Sequence, residues 1–178
     1  MELTSRLAAL EDVPRLIGVM DAAIAETAAR DDEQIEASRA VMGIDTQLIE
    51  DATYFVVETP DGDVAGCGGW SRRATMYGND HSPGRDAKLL DAAVDAARVR
   101  AMYTNPAYAR RGVGRLVLSL CEAAAAAEGF TRLELVATLS GEPLYNAYGF
   151  TPLERIEVAV GPVAVPAVRM EKPVEVHR

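Results

Sequence analysis

Cysteine, histidine and aromatic residues are scarce in this sequence. Its 178 residues hold two cysteines, two histidines and 6% aromatics. Cys67 and Cys121 fall in unrelated segments without paired spacing. They are expected to be small buried thiols of a reducing, cytoplasmic setting rather than a disulfide framework. His81 follows Asp80, but no further ligand lies at suitable spacing, so no metal site is expected. No run approaches the roughly 18 apolar residues of a membrane helix. The opening "MELTSRLAALEDVPRL" carries acids early and no basic start before an apolar stretch, so neither a membrane span nor a secretory leader is expected. Positive charge is also short: 18 Lys and Arg stand against 27 Asp and Glu, a formal net charge of −9. Phosphate backbones need clustered positive charge, which argues against a nucleic-acid partner. Internal repeats, low-complexity tracts and linkers are lacking, which predicts a single domain over residues 3–173.

What is present is an alternation of strand-like and helical patterns. "MELTSRLAAL" predicts a first strand, and Val13, Leu16, Ile17, Met20 and Ile24 predict a helix with Asp12 as N-cap and Pro14 in its first turn. A weaker helix is predicted from Asp32 to Gly43. Thr53–Thr59 and Val64–Trp70 predict a hairpin across Pro60-Asp61-Gly62-Asp63. Ser71 to Ala96 has turn residues and no clear period beyond a helical turn in "AKLLDAAVDAA". It is long for a plain connection and is a candidate binding loop. A strand is predicted over Ala97–Thr104. Val113, Leu116, Val117, Leu120, Cys121 and Ala124 then mark the strongest helix, with Arg115, Ser119 and Glu122 on its other side and Gly129 stopping it. "TRLELVAT" is a strand, "EPLYNAYGF" a short helix ending at Gly149, and the rest a closing hairpin turning at Gly161-Pro162. The order β-α-α-β-β-(loop)-β-α-β-α-β-β gives an α/β fold with a single mixed sheet.

Charge is unevenly spread. From Ala97 to Arg132 there are six arginines and two glutamates, a local +4, so the remainder carries −13. A basic segment in an acidic body points to an anionic ligand there, and the acidic remainder to a cationic second ligand. Within it lies "YTNPAYARRGVGRLVL", Tyr103 to Leu118. Adjacent arginines at the mouth of a helix repel each other and oppose its dipole, unless something negative sits there. A strand, a Gly-x-Gly and a helix make such a site: first-turn N–H groups lack intrahelical partners, and Gly112 and Gly114 let a ligand come close. Arg110, Arg111 and Arg115 complement the charge. No Gly-Lys-Ser/Thr follows, which argues against a nucleotide-hydrolysing loop. A dinucleotide loop would place a third glycine where Val117 stands.

These residues resemble the GNAT superfamily of acyl-CoA-dependent N-acetyltransferases. The family's Gln/Arg-x-x-Gly-x-Gly/Ala motif, preceded by a strand and a proline, is matched by Ala109-Arg110-Arg111-Gly112-Val113-Gly114 after "MYTNP", with Ala109 in place of the usual Gln or Arg. A tyrosine four residues before a Gly-Phe pair is matched by Tyr145 and Gly149-Phe150. The resemblance is strong from Ala97 to Phe150. It implies a mostly antiparallel mixed sheet of about six to seven strands flanked by helices, with its central strands splayed to admit the cofactor. It implies acetyl-CoA, or another short acyl-CoA, as co-substrate, with its pyrophosphate on the N–H groups of Arg110, Arg111, Gly112, Val113, Gly114 and Arg115. It further implies pantetheine contacts from Met102 and Thr104, and a cofactor contact at Thr138, where many relatives have asparagine. The reaction implied is acetyl transfer to a primary amine of a small molecule or peptide. A non-catalytic acyl-CoA sensor of the same fold is the alternative. The closing hairpin offers an edge through which a homodimer would pair.

Acyl transfer to an amine needs a base for the amine proton, donors for the developing oxyanion and a proton for the leaving thiolate. Tyr145, a phenol with an ordinary pKa near about 10, suits the last role, and the Met102 N–H or its neighbour the second. Candidates for the base are Asp80, His81, Asp86 and Glu134. Tyr148 and Trp70 are expected in packing, and Tyr103 as core or substrate wall.

Overall fold

The computed structural model describes residues 2–26, 36, 42–82 and 84–175. The helix expected over Asp32 to Gly43 lies for the most part outside them. In chain order come β1 (Thr4–Leu7), a 3-10 turn (Leu10–Asp12), α1 (Val13–Glu26), α2 (Thr46–Glu50), β2 (Tyr54–Glu58), β3 (Val64–Ser71), β4 (Ala97–Thr104), a 3-10 turn (Pro106–Tyr108), α3 (Val113–Ala127), β5 (Arg132–Thr138), α4 (Glu142–Tyr148), β6 (Thr151–Val160) and β7 (Val163–Pro173). The seven described strands form one mixed sheet in the order β1-β2-β3-β4-β5-β7-β6. Every pairing is antiparallel except that of β4 with β5.

Helices cover both faces of the sheet. Leu16 and Ile24 of α1 and Leu48 of α2 pack with Tyr54, Val56 and Tyr103 on one side. Val117, Leu118 and Cys121 of α3 pack with Trp70, Leu133 and Met170 on the other. Being covered twice, β3 is buried along its whole length, as a central strand must be. Its glycines set how closely the layers approach. A methyl on Gly66 would come within 2.5 Å of Val113 Cγ1, and one on Gly68 would collide with Met102 Sδ, so α3 lies directly on the β3 backbone. Gly69 has fixed neighbours: its methyl would strike the Thr53 carbonyl and reach 2.9 Å from Tyr54 Cα. Backbone cannot swing aside as a side chain can, so Gly69→Ala is expected to cost about 1–3 kcal/mol. Thermal unfolding reads this at roughly 2–4 °C per kcal/mol. Gly18, inside α1 with open space around it, serves as the contrast. Gly18→Ala is expected to gain up to about 1 kcal/mol.

Two local expectations are corrected. Asp12 does not cap α1. It closes the preceding 3-10 turn, accepting from the Ala9 N–H at 2.7 Å and from Arg6 at 2.7 and 2.8 Å. The Arg6 guanidinium holds its carboxyl down to about 2. The buried stripe of α3 runs Val113, Val117, Leu118, Cys121, Glu122 and Ala125, with Leu116 and Ala124 packed at its margin and Leu120 outside it. Glu122 therefore does not face solvent. A second set of neighbours, from α4 and the end of β7, covers the flank that carries it: its carboxylate accepts from Tyr148 Oη at 2.8 Å and Lys172 Nζ at 2.6 Å.

Candidate active site

The site is built where two strands part. β4 and β5 pair only at Ala97↔Leu133 and Arg98↔Glu134. Past that point the edges facing each other have no strand partner. The cause lies one residue after Arg100. Against β3, Arg100 pairs with Gly69 and Tyr103 with Cys67, so Ala101 and Met102 together oppose the single Gly68. This is a β-bulge, which bends a strand out of its ladder. Ala101 takes φ +52°, a conformation that costs an alanine about 1–2 kcal/mol, and its carbonyl is held by Tyr54 Oη at 2.7 Å. The bulge also sends Met102 and Tyr103 to opposite faces, one toward α3 and the other into the α1 core.

The chain leaving β4 is shaped for the mouth of α3. Asn105 accepts from the Ala107 N–H and caps the Pro106 turn. Arg110 and Gly112 then both adopt positive φ, +61° and +81°. Gly112 is the N-cap of α3 and has open space where a Cβ would stand, whereas a methyl on Gly114 would meet Leu144 Cδ2 at 2.6 Å. Only Gly112 therefore suits close approach of a ligand. Gly114 is small because α4 packs there. Arg110, Arg111 and Arg115 are exposed at this mouth. Arg111 lies over the Tyr108 ring and Arg115 over the Tyr148 ring. The other three arginines of the basic segment are engaged elsewhere: Arg98 with Glu134, Arg100 with Asp45 and Arg132 with Glu171.

An open cleft of about 340 Å³ runs from Pro106 and Ala109 beside this mouth, past Met102 and Thr104 on one lip and Thr138 and Gly141 on the other, to Tyr145. A smaller cavity of about 100 Å³ continues inward between Arg100, Val136 and Tyr77. Met102, Thr138 and Tyr145 belong to the walls of both. Tyr145 is 9% exposed, rests edge-on against Phe150, and its hydroxyl has no hydrogen-bond partner among the described residues. Burial pushes that hydroxyl above the ordinary phenol value, which keeps it protonated.

A family model described as an acetyltransferase (GNAT) domain matches residues 50–152, from the end of α2 to the start of β6. The chain belongs to the GNAT acetyltransferase family. A search of the curated proteins finds no match by sequence, but solved structures share the fold. A GCN5-related N-acetyltransferase from Rhodopseudomonas palustris, also described as a class-II aminotransferase, superposes with a TM-score of 0.70 at 18% identity, covering 97% of this chain and 96% of its own. The PaiA N-acetyltransferase of Thermoplasma acidophilum, solved with coenzyme A, gives 0.65 at 16% identity, covering 97% and 99%. A phosphinothricin acetyltransferase of Sinorhizobium meliloti, solved with AcCoA, gives 0.65 at 18% identity, covering 98% and 89%.

In this GNAT chain Met102, Thr104, Thr138 and Tyr145 converge on one cleft, with the mouth formed by Arg110 to Arg115 at its outer end. The four candidate bases are not part of it. Glu134 accepts from Arg98 at 3.0 Å and Arg169 at 2.8 Å. Asp80 accepts from the Thr46 N–H and hydroxyl. Asp86 accepts from the Lys88 N–H, and His81 is exposed. A carboxylate and a cation that sequence reasoning passed over do line the cavities: Glu26, at the end of α1, and Arg100. Glu26 carried no local signal, since its place on the wall depends on how α1 crosses the sheet. Trp70 is core, 1% exposed against Phe130. Among the described residues no cluster of three metal-ligating side chains exists, and no helix is long and apolar enough to cross a membrane.

Proposed function

We propose that the protein is an N-acetyltransferase that moves an acetyl group from acetyl-CoA, or another short acyl-CoA, directly to a primary amine. The observation that carries this reading is the continuous cleft from the mouth of α3, between the parted strands, to the Tyr145 hydroxyl. The N–H groups of Arg110 to Arg115 and the helix dipole would hold the pyrophosphate, with Arg110, Arg111 and Arg115 adding charge. The free edge of β4 at Met102 and Thr104 would hydrogen-bond the pantetheine amides, and Thr138 would face it from β5. The thioester would then lie beside Met102 and Tyr145.

A neutral amine then attacks the thioester carbon. The C–N bond forms, the carbonyl oxygen takes up negative charge near the Met102 N–H, and the C–S bond breaks. Tyr145 gives its proton to the departing thiolate. The amine nitrogen loses a proton, for which Glu26 is the carboxylate among the described residues of the wall, directly or through water. Tyr145 is reprotonated from solvent, so the products are the amide and free CoA thiol. We assign this chemistry to a single domain over residues 3–173.

The test uses purified protein, acetyl-CoA and a panel of primary amines, with thiol release as the readout. Thiol release that depends on the amine is expected, together with a calorimetric heat for CoA that weakens as salt rises, as a charge-assisted phosphate site should. No heat with CoA would sink the reading.

A further inference from the structure

The inner cavity contains a charge that acetyl transfer itself does not need. Arg100 is 3% exposed, yet it forms part of the cavity wall. Its Nη2 donates to Asp45 at 3.0 Å and to the Gly78 carbonyl at 3.1 Å. Its Nε and Nη1 have no partner among the described residues. Both keep contact with solvent, so each is open to a ligand. Nor is the charge fully balanced from behind. The same Asp45 oxygen also faces Arg85 Nη1 at 3.0 Å, so one buried carboxylate stands against two guanidinium groups. The next carboxylate, Asp80, is 3.9 Å from Arg85 and bound to Thr46 on the exposed side. Of the described residues lining the inner cavity, Arg100 alone carries a formal charge, and it is positive.

We infer that Arg100 receives the carboxylate of the amine acceptor, and that the acceptor is a compact amino-carboxylate such as a free amino acid. This rests on the acetyltransferase reading above and names its substrate class. Two geometric facts support it. The Nη1 donors, left free by Asp45 and Gly78, can give charge-assisted hydrogen bonds to a carboxylate oxygen. The cavity that holds it measures only about 100 Å³ and shares Met102, Thr138 and Tyr145 with the outer cleft. A carboxylate bound at Arg100 therefore leaves its own amine, a few bonds away, at the thioester. A peptide N-terminus has no carboxylate at that spacing, and a polyamine would bring positive charge against Arg100. The acidic surface of the chain as a whole thus misdirects: its net charge suits a cation, while its inner pocket suits an anion. Arg100 is a specificity-determining residue here, not a group that moves protons.

The test is a set of matched acceptors, each α-amino acid beside the amine left by its decarboxylation, assayed by thiol release with acetyl-CoA. The wild type is expected to favour the amino acid in kcat/KM. Arg100→Met is expected to shrink that preference by about 10- to 100-fold, the worth of a hydrogen-bonded charge, mainly through KM, with Arg100→Lys in between. A purely structural role would lower both members of each pair alike and leave their ratio unchanged. Asp45 keeps Arg85 in the variant, and an unchanged heat of CoA binding establishes that it is folded. Transfer to amines with no preference for the carboxylate, or a preference that survives Arg100→Met, overturns the inference while the acetyltransferase reading stands. If no amine is acetylated, that reading fails instead, and calorimetry of amino acids into the CoA-loaded protein decides the pocket. A heat lost in Arg100→Met upholds the carboxylate site, and no heat in the wild type removes it.

Discussion

Replacing Lys172 by methionine is expected to lower the stability of the protein by about 3–5 kcal/mol, the loss that follows when one member of a buried ion pair is removed. Lys172 and Glu122 are 4% and 5% exposed, and their charged atoms meet at 2.6 Å. Without the ammonium, Glu122 keeps only the Tyr148 hydroxyl and the Glu175 N–H, two dipoles against a full charge. Denaturant unfolding gives the magnitude. Pairing Lys172→Met with Glu122→Gln should recover most of it, because the cost is the stranded charge rather than the missing contact. The pH dependence separates the two variants further. In the wild type the carboxyl of Glu122 is held below its ordinary value, despite burial, by hydrogen bonds from Lys172 and Tyr148. Its contribution is therefore present above the usual carboxylate range and lost as pH falls. In Lys172→Met burial is left to raise that pKa, so the deficit should shrink as pH falls and Glu122 takes up a proton.

The largest expected effect on activity is that of Tyr145→Phe, a fall in kcat of roughly 10²-fold, as for loss of an acid catalyst. The substitution is clean because the ring carries the packing. It stacks edge-on with Phe150 at 5.8 Å between centroids, and the hydroxyl has no partner among the described residues. CoA affinity and unfolding midpoint should therefore barely move while turnover collapses. Since burial raises the Tyr145 pKa, the wild-type kcat should show no descending limb through about pH 10, where an ordinary phenol ionises. A Tyr145→Phe enzyme with wild-type kcat would remove the residue from the proton transfer.

The loop at the mouth of α3 was legible because its signals are local. Glycines, a proline and adjacent arginines announce a loop entering a helix within a dozen residues, and the Tyr145 to Gly149-Phe150 spacing lies within one short helix and its exit. The rest depends on partners far away in sequence. Nothing near Ala101 marks a bulge. It contains no glycine and is held by a tyrosine 47 residues earlier. Arg100 looks like one more member of a basic run until a partner 55 residues away claims one end of it. Glu122 sits on the polar side of a helical wheel until Lys172, 50 residues on, covers it. Gly114 carries the motif's spacing, but the reason for its size is Leu144 on another helix. Periodicity describes one element against an imagined core, and each of these residues answers to a second neighbour that periodicity does not include.

The parted strands have a consequence for how the protein can change over time. The two lips of the wedge present main-chain amides and carbonyls, which every amino acid supplies equally. A slot made of peptide groups survives substitution along its rim provided the kink that opens it is kept. Such a chain is free to drift widely in composition, while the few positions that set the kink and the floor, Gly68, Ala101 and Tyr54, are the ones where drift would close the slot.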